Sequence, residues 1–327
     1  ASDVYKRQTH NDLKRYSSKY REPIVGLYKD YKIISMGPPS SGGVLLVNML
    51  NMLENFDLDA LGWNSSDYVH LLTEVERRAY ADRSEHLGDP DFWKIPISML
   101  TSKEYAKNRM KTFSKERATL STDISASKNI HNESIETTHY SVVDISGNAV
   151  SVTTTINLNY GSGIIVDGAG FFLNNEMDDF SSKPGVPNVF GLIGNEANAI
   201  EANKRPLSSM TPTIVLKDDK PFMVIGSPGG STIITTTLQN ILNVIEFNMD
   251  IEEAVSSPRF HSQWLPDVIQ IEPRSLPKDV LIKLKEKGHQ VVPYRWGYIG
   301  EANGILILED GFYGGGDNRG ETSAIGY

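Results

Sequence analysis

The segment "ESIETTHYSVVDISGNAVSVTTTINLNYGSG", residues 133–163, decides the fold of this chain. Val, Ile and Thr alternate with polar residues on both sides of "SGN", residues 146–148, which predicts a β-hairpin. A three-residue turn there places Thr137 opposite Asn157, with Thr155 as its diagonal neighbour on the same face. We therefore predict that these three polar side chains lie together.

The two faces of this hairpin differ in polarity. Tyr140, Val142 and Val150 share one face, and we expect that face to belong to the core. The opposite face carries Thr, Ser, His and Asn side chains, including His139 and Ser151. We expect this second face to be polar.

Two explanations account for the adjacent threonines at positions 137 and 138. β-Branched threonines suit a half-exposed sheet without any chemical role. Alternatively, Thr137 is a nucleophile that becomes the first residue of a chain, since its own α-amino group then supplies the base that a hydroxyl needs. The backbone would be cut between Glu136 and Thr137. Because no carboxylate is placed to orient His139, a hydroxyl–histidine–acid triad is not predicted.

Composition limits the classes of function. The 327 residues are 39% hydrophobic and 22% charged, as is typical of a soluble globular protein. A net charge of -9 disfavours nucleic acids and anionic membranes as partners, because both attract basic surfaces. No apolar run approaches a membrane span. The absence of cysteine excludes disulfides, thiolate nucleophiles and cysteine metal sites, so small-molecule chemistry is the open class.

Upstream of the hairpin the pattern predicts a strand, a turn and two helices. Residues 31–56 read as strand, tight turn "GPPSSGG" and helix, and the turn lacks the Gly-Lys-Ser/Thr ending of a phosphate-binding loop. A second helix over residues 65–88 has one apolar stripe, with charge on the opposite face. Its His70 and His86 are interpreted as ordinary helix residues. The polar segment 102–136 is predicted to be a linker.

Downstream of the linker, strands rich in Val, Ile and Thr are separated by Gly and Asn turns. Strands are predicted at residues 140–143, 150–156, 213–216, 222–225, 268–271 and 305–308, and helices at 233–247 and 277–289. The expected architecture is an antiparallel sheet flanked by helices, which is an α+β fold.

The stretch "GSPGGS" ends a predicted strand and opens a helix. The backbone N–H groups of Gly229 and Gly230 are therefore expected at a helix N-terminus, where negative charge is favoured, as in an oxyanion hole. A glycine turn with a Ser231 cap explains the same residues equally well.

Two polar clusters suit the binding of charged groups. Ser208 and Ser209 lie between two prolines and form a rigid hydroxyl pair able to bind a carboxylate. Glu176, Asp178 and Asp179 precede a Gly/Pro-rich loop and suit a substrate ammonium, with a solvated loop as the alternative. Their spacing lacks the EF-hand pattern, so calcium is disfavoured.

Several motifs together resemble the γ-glutamyltransferases of bacteria over residues 9–327. These motifs are "TTHYSVVD", "LNNEMDDFSSKPGVPN", "NKRPLSSMTPTIV", "GSPGGS" and "PRFHSQWLPD". The resemblance implies an N-terminal-nucleophile hydrolase with an αββα sandwich, made as a precursor that cuts itself into two subunits. It assigns residues 9–136 to the large subunit and 137–327 to the small one. Residues 1–8 do not continue the family pattern and are expected to be a non-native leader.

The same resemblance implies site roles and no cofactor or metal. Thr137 is the implied nucleophile, Thr155 hydrogen-bonds it, and Gly229 and Gly230 form the oxyanion hole. The implied ligands of the glutamyl α-amino group are Asn157, Glu176 and Asp179. The implied ligands of its α-carboxylate are Ser208 and Ser209.

The implied reaction is γ-glutamyl transfer from glutathione or a related amide to water, an amino acid or a peptide, in the periplasm or outside the cell. The alternatives are a family acylase acting on glutaryl-cephalosporin or poly-γ-glutamate, and a non-catalytic binding protein. Two departures stand out: the family's carboxylate-binding arginine has no counterpart here, and Phe190 replaces a tyrosine of the lid loop. This chain alone is therefore expected to be a poor transferase.

Overall fold

The structure, a computed structural model, describes residues 9–124, 137–183, 185–186 and 192–326. The helices are α1 (His10–Arg15), α2 (Gly42–Leu53), α3 (Leu58–Leu61), α4 (Ser66–His86), α5 (Ile97–Leu100), α6 (Lys103–Arg109), α7 (Thr232–Phe247), α8 (Ile251–Ser256) and α9 (Lys278–Glu286). The strands are β1 (Ile24–Tyr28), β2 (Tyr31–Ser35), β3 (Thr138–Val143), β4 (Ala149–Thr154), β5 (Thr213–Lys217), β6 (Lys220–Gly226), β7 (Phe260–His261), β8 (Ile269–Ile271), β9 (Val291–Pro293), β10 (Asn303–Leu308) and β11 (Gly311–Gly316). The expected leader, residues 1–8, lies outside the described residues. Within those residues, no helix combines the length and the apolar character that a membrane crossing requires.

A six-stranded sheet in the order β1-β2-β5-β6-β10-β11 forms the centre of the fold. Every neighbouring pair in it is antiparallel. Strand β2 precedes position 137 and β5 follows it, and the two pair from Tyr31↔Lys217 to Ser35↔Thr213. Residues on both sides of position 137 therefore build one sheet, and the predicted α+β class is confirmed.

Helices cover one face of this sheet and the hairpin β3–β4 covers the other. Neighbouring residues of a strand point to opposite faces. A Cβ at Gly304, which pairs with Ile225, would lie 2.7 Å from Ile251 Cδ1 in α8. A Cβ at Gly226, one residue further along β6, would lie 2.3 Å from His139 Cε1 in the hairpin. The described residues thus form a helical layer, a six-stranded sheet and a two-stranded hairpin. A separate three-stranded sheet has the order β7-β8-β9, and its β8–β9 pair is parallel, unlike the predicted antiparallel pairing.

The hairpin differs from the prediction in register and in orientation. Thr138 pairs with Thr154 and Val143 with Ala149, so the register is shifted by two residues and the predicted pairing of Thr137 with Asn157 is wrong. The Asp144 N–H donates to Asn148 O at 3.0 Å, so the three-residue turn is 145–147, one residue earlier than predicted, and the Asp144 carboxylate accepts hydrogen bonds from the N–H groups of Ser146 and Asn148.

The faces of the hairpin are also reversed. The predicted core face is half exposed, at 49% for Tyr140 and 50% for Val142, whereas His139 on the polar face is buried. The polar face packs on the sheet because its side chains bind strand carbonyls: Ser151 Oγ donates to Ile225 O, and Ser141 Oγ donates to Asn303 O.

Helix α4 is buried around almost its whole circumference, so the predicted charged solvent face is wrong. Glu74, Arg77 and Arg78 are each at most 2% exposed. Both arginines contact the Glu74 carboxylate, at 2.5 and 2.7 Å. Charged side chains tolerate such burial when they are paired and hydrogen-bonded.

The first part of the predicted linker is ordered structure. Ser102 caps α6 by accepting the Tyr105 N–H, and Ala106 is fully buried. Further along, the Thr119 hydroxyl donates to Glu74 Oε2 at 2.6 Å. The linker prediction is therefore wrong for this part, because a few small residues and hydroxyls attach a polar segment to α4. Residues 125–136 lie outside the described residues.

Candidate active site

One cleft brings together residues from the start of the hairpin, the segment after β4, the serine pair and the N-terminus of α7. Its lining consists of Arg83, Thr137, Thr155, Asn157, Asp179, Leu192, Leu207, Ser208, Ser209, Met210, Gly230, Ser231 and Ile233. Most of the residues singled out in the sequence therefore share one space. Gly229 adjoins the lining residue Gly230, and Glu176 occupies the same 3-10 turn as Asp179 (Glu176–Asp179). Glu136 and Phe190 lie outside the described residues.

Thr137 and Thr155 meet at the entrance to the hairpin. The Thr137 hydroxyl donates a hydrogen bond to Thr155 Oγ1, with 3.3 Å between the oxygens. Thr155 Oγ1 also accepts the Asn157 N–H at 2.9 Å. Two donors therefore fix the position of the Thr155 oxygen, and its lone pairs are directed at Thr137 and at the backbone.

Asn157 is held in an unusual backbone conformation. Its φ is 76°, in the left-handed region where Asn is one of the few tolerated non-glycine residues. Its side-chain amide donates to Asn175 O at 3.1 Å, and Asn175 Oδ1 accepts the Leu158 N–H. The side chain is 3% exposed and lies in the cleft wall. This reciprocal asparagine contact orients the chain after β4.

Gly229 and Gly230 form the turn that opens α7. Their φ values of 135° and 57° favour glycine, and a Cβ at Gly229 would lie 2.5 Å from Thr232 Oγ1. The carbonyls of both glycines accept N–H groups of the first helical turn, at 3.0 Å for Thr232 and 3.3 Å for Ile233. Neither glycine N–H has an acceptor within the described part of the chain. These donors at a helix N-terminus can therefore bind an oxyanion.

Two carboxyl groups lie close together in the 3-10 turn at the cleft. Burial raises the pKa of Asp179 well above its usual range, and the neighbouring Glu176 raises it further while Arg83 lowers it. Burial also raises the pKa of Glu176. No hydrogen bond from the described residues reaches the Asp179 carboxylate. A cation bound here would relieve the cost of ionising these acids.

The turn before α2 supports the serine pair. Ser41 donates to the Ser208 carbonyl twice, from its N–H at 2.8 Å and from its hydroxyl at 2.7 Å. A Cβ at Gly42 would lie 2.4 Å from Met210 O, so the glycine permits this close approach. The sequence "GPPSSGG" is thus the predicted strand-to-helix turn and also the support of the segment that carries Ser208.

The sequence predicts no role for Arg83, yet it lines the cleft and is 4% exposed. Its guanidinium donates to Ser41 Oγ at 2.9 Å and to Ser209 Oγ at 3.2 Å. The sequence pattern predicts a solvent face for the charges of α4, and no spacing rule distinguishes this arginine from its neighbours. Its role becomes visible only once α4 is known to be buried.

His139 is placed as a structural side chain. Its ring nitrogens contact Thr153 Oγ1 at 2.8 Å and Ser141 Oγ at 3.1 Å. Burial lowers the pKa of His139 to about 4, so the ring is neutral at pH 7. With hydroxyl partners on both nitrogens, the geometry gives no support to a triad.

Two further histidines, His70 and His289, contact each other away from the cleft. His70 Nε2 contacts a backbone carbonyl, which only accepts, so His70 Nδ1 must accept the Nε2–H of His289 at 2.7 Å. Glu74 joins these two side chains in a group that has the proximity of metal ligands. Its carboxylate is already neutralised by Arg77 and Arg78, which disfavours a cation. His70, interpreted from the sequence as an ordinary helix residue, is therefore half of a buried histidine pair.

The cleft as a whole suits acyl transfer. A hydroxyl with a positioned acceptor, unused N–H groups at a helix N-terminus and a pair of serines share its walls. A partly buried acid and a buried arginine supply charges of both signs. This set fits a substrate that carries an acyl group together with an ammonium and a carboxylate.

Known proteins resemble this chain over most of its length. The family model described as gamma-glutamyltranspeptidase matches residues 7–327. The glutathione hydrolase proenzyme of Escherichia coli (strain K12) is 50% identical over 312 residues, which cover 95% of this chain and 53% of that protein. The chain thus spans about half the length of the curated relatives it matches.

Solved structures extend the likeness. A gamma-glutamyltranspeptidase of Helicobacter pylori is 61% identical, with a TM-score of 0.54, over 56% of this chain and 100% of that chain. A cephalosporin acylase from Bacillus halodurans superposes over 98% of this chain and 56% of its own, with a TM-score of 0.81 at 24% identity. At 24% identity, the likeness to the cephalosporin acylase shows a shared fold and nothing more.

Proposed function

This chain belongs to the γ-glutamyltranspeptidase family, and we propose on that basis that it carries the nucleophile of a self-processing γ-glutamyltransferase and glutathione hydrolase. The observation that supports the proposal best is the single cleft shared by Thr137, Asp179, the serine pair and Gly230. The fold is the α+β fold of N-terminal-nucleophile hydrolases. In such a fold a hydroxyl becomes a catalyst when the chain before it is removed.

Maturation divides the chain at position 137 in this proposal. Residues 9–136 become part of a large subunit, and residues 137–327 become the small subunit. The Thr137 hydroxyl attacks the carbonyl of the preceding residue, and the ester that replaces the peptide bond is hydrolysed. The relatives from Escherichia coli and Pseudomonas are named proenzymes, which supports processing.

The first half-reaction transfers the γ-glutamyl group to the enzyme. Thr137 Oγ1 attacks the γ-carbonyl, and the freed α-amino group of Thr137 accepts the hydroxyl proton. The N–H groups of Gly229 and Gly230 stabilise the tetrahedral oxyanion at the helix N-terminus. The C–N bond breaks, the amine returns the proton to the leaving nitrogen, and an ester on Thr137 results. Thr155 holds the attacking oxygen in position through the 3.3 Å contact.

The second half-reaction regenerates the hydroxyl. Water or the amino group of an amino acid or peptide attacks the ester carbonyl after passing a proton to the Thr137 amine. The ester C–O bond breaks, and the proton returns to Oγ1. The product is glutamate when water attacks, and a new γ-glutamyl amide when an amine attacks. No cofactor takes part in either step.

Substrate selection follows from the charges in the cleft. Asp179 and Glu176, whose pKa values burial raises, bind the α-ammonium together with Asn157. Ser208 and Ser209 donate to the α-carboxylate. A glutaryl group lacks the ammonium and would leave the two acids uncompensated. This argues against the acylase alternative.

The decisive experiment uses the protein expressed from its complete coding sequence. It should split between Glu136 and Thr137 without added protease, as detected by N-terminal sequencing, and should then release aniline from a γ-glutamyl anilide. Thr137→Ala should remain one chain and be inactive. A purified, cut protein that turns over glutaryl anilide faster than γ-glutamyl anilide would favour the acylase, and a cut protein inactive on both would favour a binding role.

The periplasm or the cell exterior is the proposed location, on the basis of the family resemblance alone. Cell fractionation with an activity assay tests it. Activity confined to the cytoplasmic fraction would contradict it.

A further inference from the structure

Arg83 joins helix α4, the turn before α2 and the serine pair from inside the protein. It projects from α4, is 4% exposed, and donates to Ser41 in the turn before α2 and to Ser209 in the serine pair. The Ser41 hydroxyl in turn donates to the Ser208 carbonyl at 2.7 Å. One guanidinium therefore holds both the support of the serine pair and one of its hydroxyls.

The direction of these hydrogen bonds determines where the hydroxyl protons of Ser41 and Ser209 can be donated. A guanidinium only donates, so the oxygens of Ser41 and Ser209 both accept from Arg83. Ser41 directs its own proton to the Ser208 carbonyl. For Ser209, the described part of the chain offers no acceptor to the hydroxyl proton. Because Ser209 lines the cleft, this proton is available to an acceptor on a bound ligand.

The charge of Arg83 also belongs to the cleft. A hydrogen bond polarised by a buried cation is stronger than one between neutral groups. Arg83 acts on Asp179 across the same space, since its charge lowers the pKa of that acid against the larger effect of burial. The cleft thus contains a fixed cation beside Ser209 and an acid at the turn Glu176–Asp179. This is complementary to the two charges of an α-amino acid head group.

We propose that Arg83 is a positioning and specificity residue that makes Ser209 a charge-assisted donor and selects donors bearing an α-carboxylate. The inference rests on the proposed γ-glutamyl transfer and deepens it. Arg83 acts through Ser209 and does not touch the reacting carbonyl. It therefore affects which donor binds more than how fast the bound donor reacts.

The test pairs variants with two donors that differ only in the carboxylate. These are L-γ-glutamyl anilide and 4-aminobutyryl anilide, assayed with the self-cleaved protein from the complete coding sequence. Arg83→Gln should lower kcat/KM for the γ-glutamyl donor about 10- to 100-fold, the range of a hydrogen bond to a charged group, mainly through KM. The 4-aminobutyryl donor should lose less than about threefold, since it has nothing to offer Ser209. Arg83→Lys should recover a part of the loss.

A second buried arginine of α4 serves as the control. Arg78→Gln removes a charge that pairs with Glu74 outside the cleft, so it should lower the melting temperature without changing the ratio between the two donors. Equal losses on both donors in Arg83→Gln, or a loss in kcat alone, would show that Arg83 is only a packing residue and overturn the proposal. If Arg83→Gln fails to cleave itself, the donor ratio of Arg83→Lys decides. Wild-type protein inactive on the γ-glutamyl donor would instead refute the proposed function.

Discussion

The hydroxyl of Thr137 donates to that of Thr155 across 3.3 Å, and the Thr155 oxygen is held in place by the Asn157 N–H. The pair joins the first described residue of the hairpin to the segment that follows β4. Because the acceptor is fixed, the lone pairs of Thr137 Oγ1 are left for attack. Strand β3 begins directly after Thr137 and strand β4 ends directly before Thr155, so the pairing of these two strands brings the two threonines together.

Thr155→Val should slow both self-cleavage and turnover roughly tenfold, because it keeps the shape of the side chain but removes the oxygen that accepts from the Thr137 hydroxyl and the Asn157 N–H. Thr155→Ser keeps the oxygen and should stay close to wild type. Rates of precursor disappearance on gels and of aniline release measure both effects. Equal rates in Val and wild type would show that the contact has no function.

Asp179 should set the acid limb of the pH profile. Its pKa is raised by burial and by Glu176, and only the ionised form attracts an ammonium. The value of kcat/KM should therefore rise with pH through a pKa above about 4, the usual carboxyl value. Asp179→Asn should remove this limb and weaken donor use by about 30- to 5,000-fold.

Stability provides the matching control for Asp179. A carboxyl group whose pKa is raised in the folded state stabilises that state fully when the pH lies below its unfolded pKa. This contribution to the free energy of unfolding is lost as the pH rises through the folded-state pKa. Asp179→Asn should therefore unfold at a higher temperature than wild type near neutral pH, in the absence of substrate. A variant that is both less stable and less active would indicate general misfolding.

Gly229→Ala should impair chemistry more than donor affinity. A Cβ there would lie 2.5 Å from Thr232 Oγ1, at a φ of 135° that suits glycine. The turn must shift, and with it an N–H that would bind the oxyanion. Loss of one such donor typically lowers kcat about 100- to 1,000-fold. Steady-state kinetics should show the fall in kcat with KM nearly unchanged, whereas a change in KM alone would contradict the role.

Gly226→Ala should destabilise the protein by about 1–3 kcal/mol, the usual range for overpacking. The added Cβ would lie 2.3 Å from His139 Cε1, between the sheet and the hairpin. In Gly226→Ala/His139→Ala the second substitution removes the obstacle, so denaturant unfolding should show less than the sum of the two single losses. Strict additivity would mean that this contact is not what excludes a side chain at position 226.

The sequence predicts the antiparallel sheet and its helices because their patterns are local. It gives the wrong hairpin register because the turn is closed by the Asp144 carboxylate, which a choice based on "SGN" does not weigh. It also reverses the faces. Apolar residues usually mark the core, but here Ser141 and Ser151 bind strand carbonyls, so the polar face packs inward.

The sequence does not predict strand β11, because "GFYGGG" has the composition of a loop. Of its glycines, Gly315 is explained by α8, since a Cβ there would lie 2.8 Å from Ile251 O. In the candidate site, motifs predict Thr137, Asp179 and the serine pair, whereas no motif predicts Arg83. A charged residue on a helix is ordinarily solvated, and its burial depends on packing that no short window of sequence contains.

Strands β2 and β5 lie on opposite sides of the proposed cut, yet they are paired along five residues from Tyr31↔Lys217 to Ser35↔Thr213. The uncut chain folds as a unimolecular process, whereas the cut protein is a heterodimer whose unfolding is also a dissociation. Its melting temperature should therefore rise with protein concentration, while that of uncut Thr137→Ala should not. Because separated halves must meet again, reassembly after denaturation and dilution should slow as the protein concentration falls, whereas the uncut precursor should refold at a rate that does not depend on concentration.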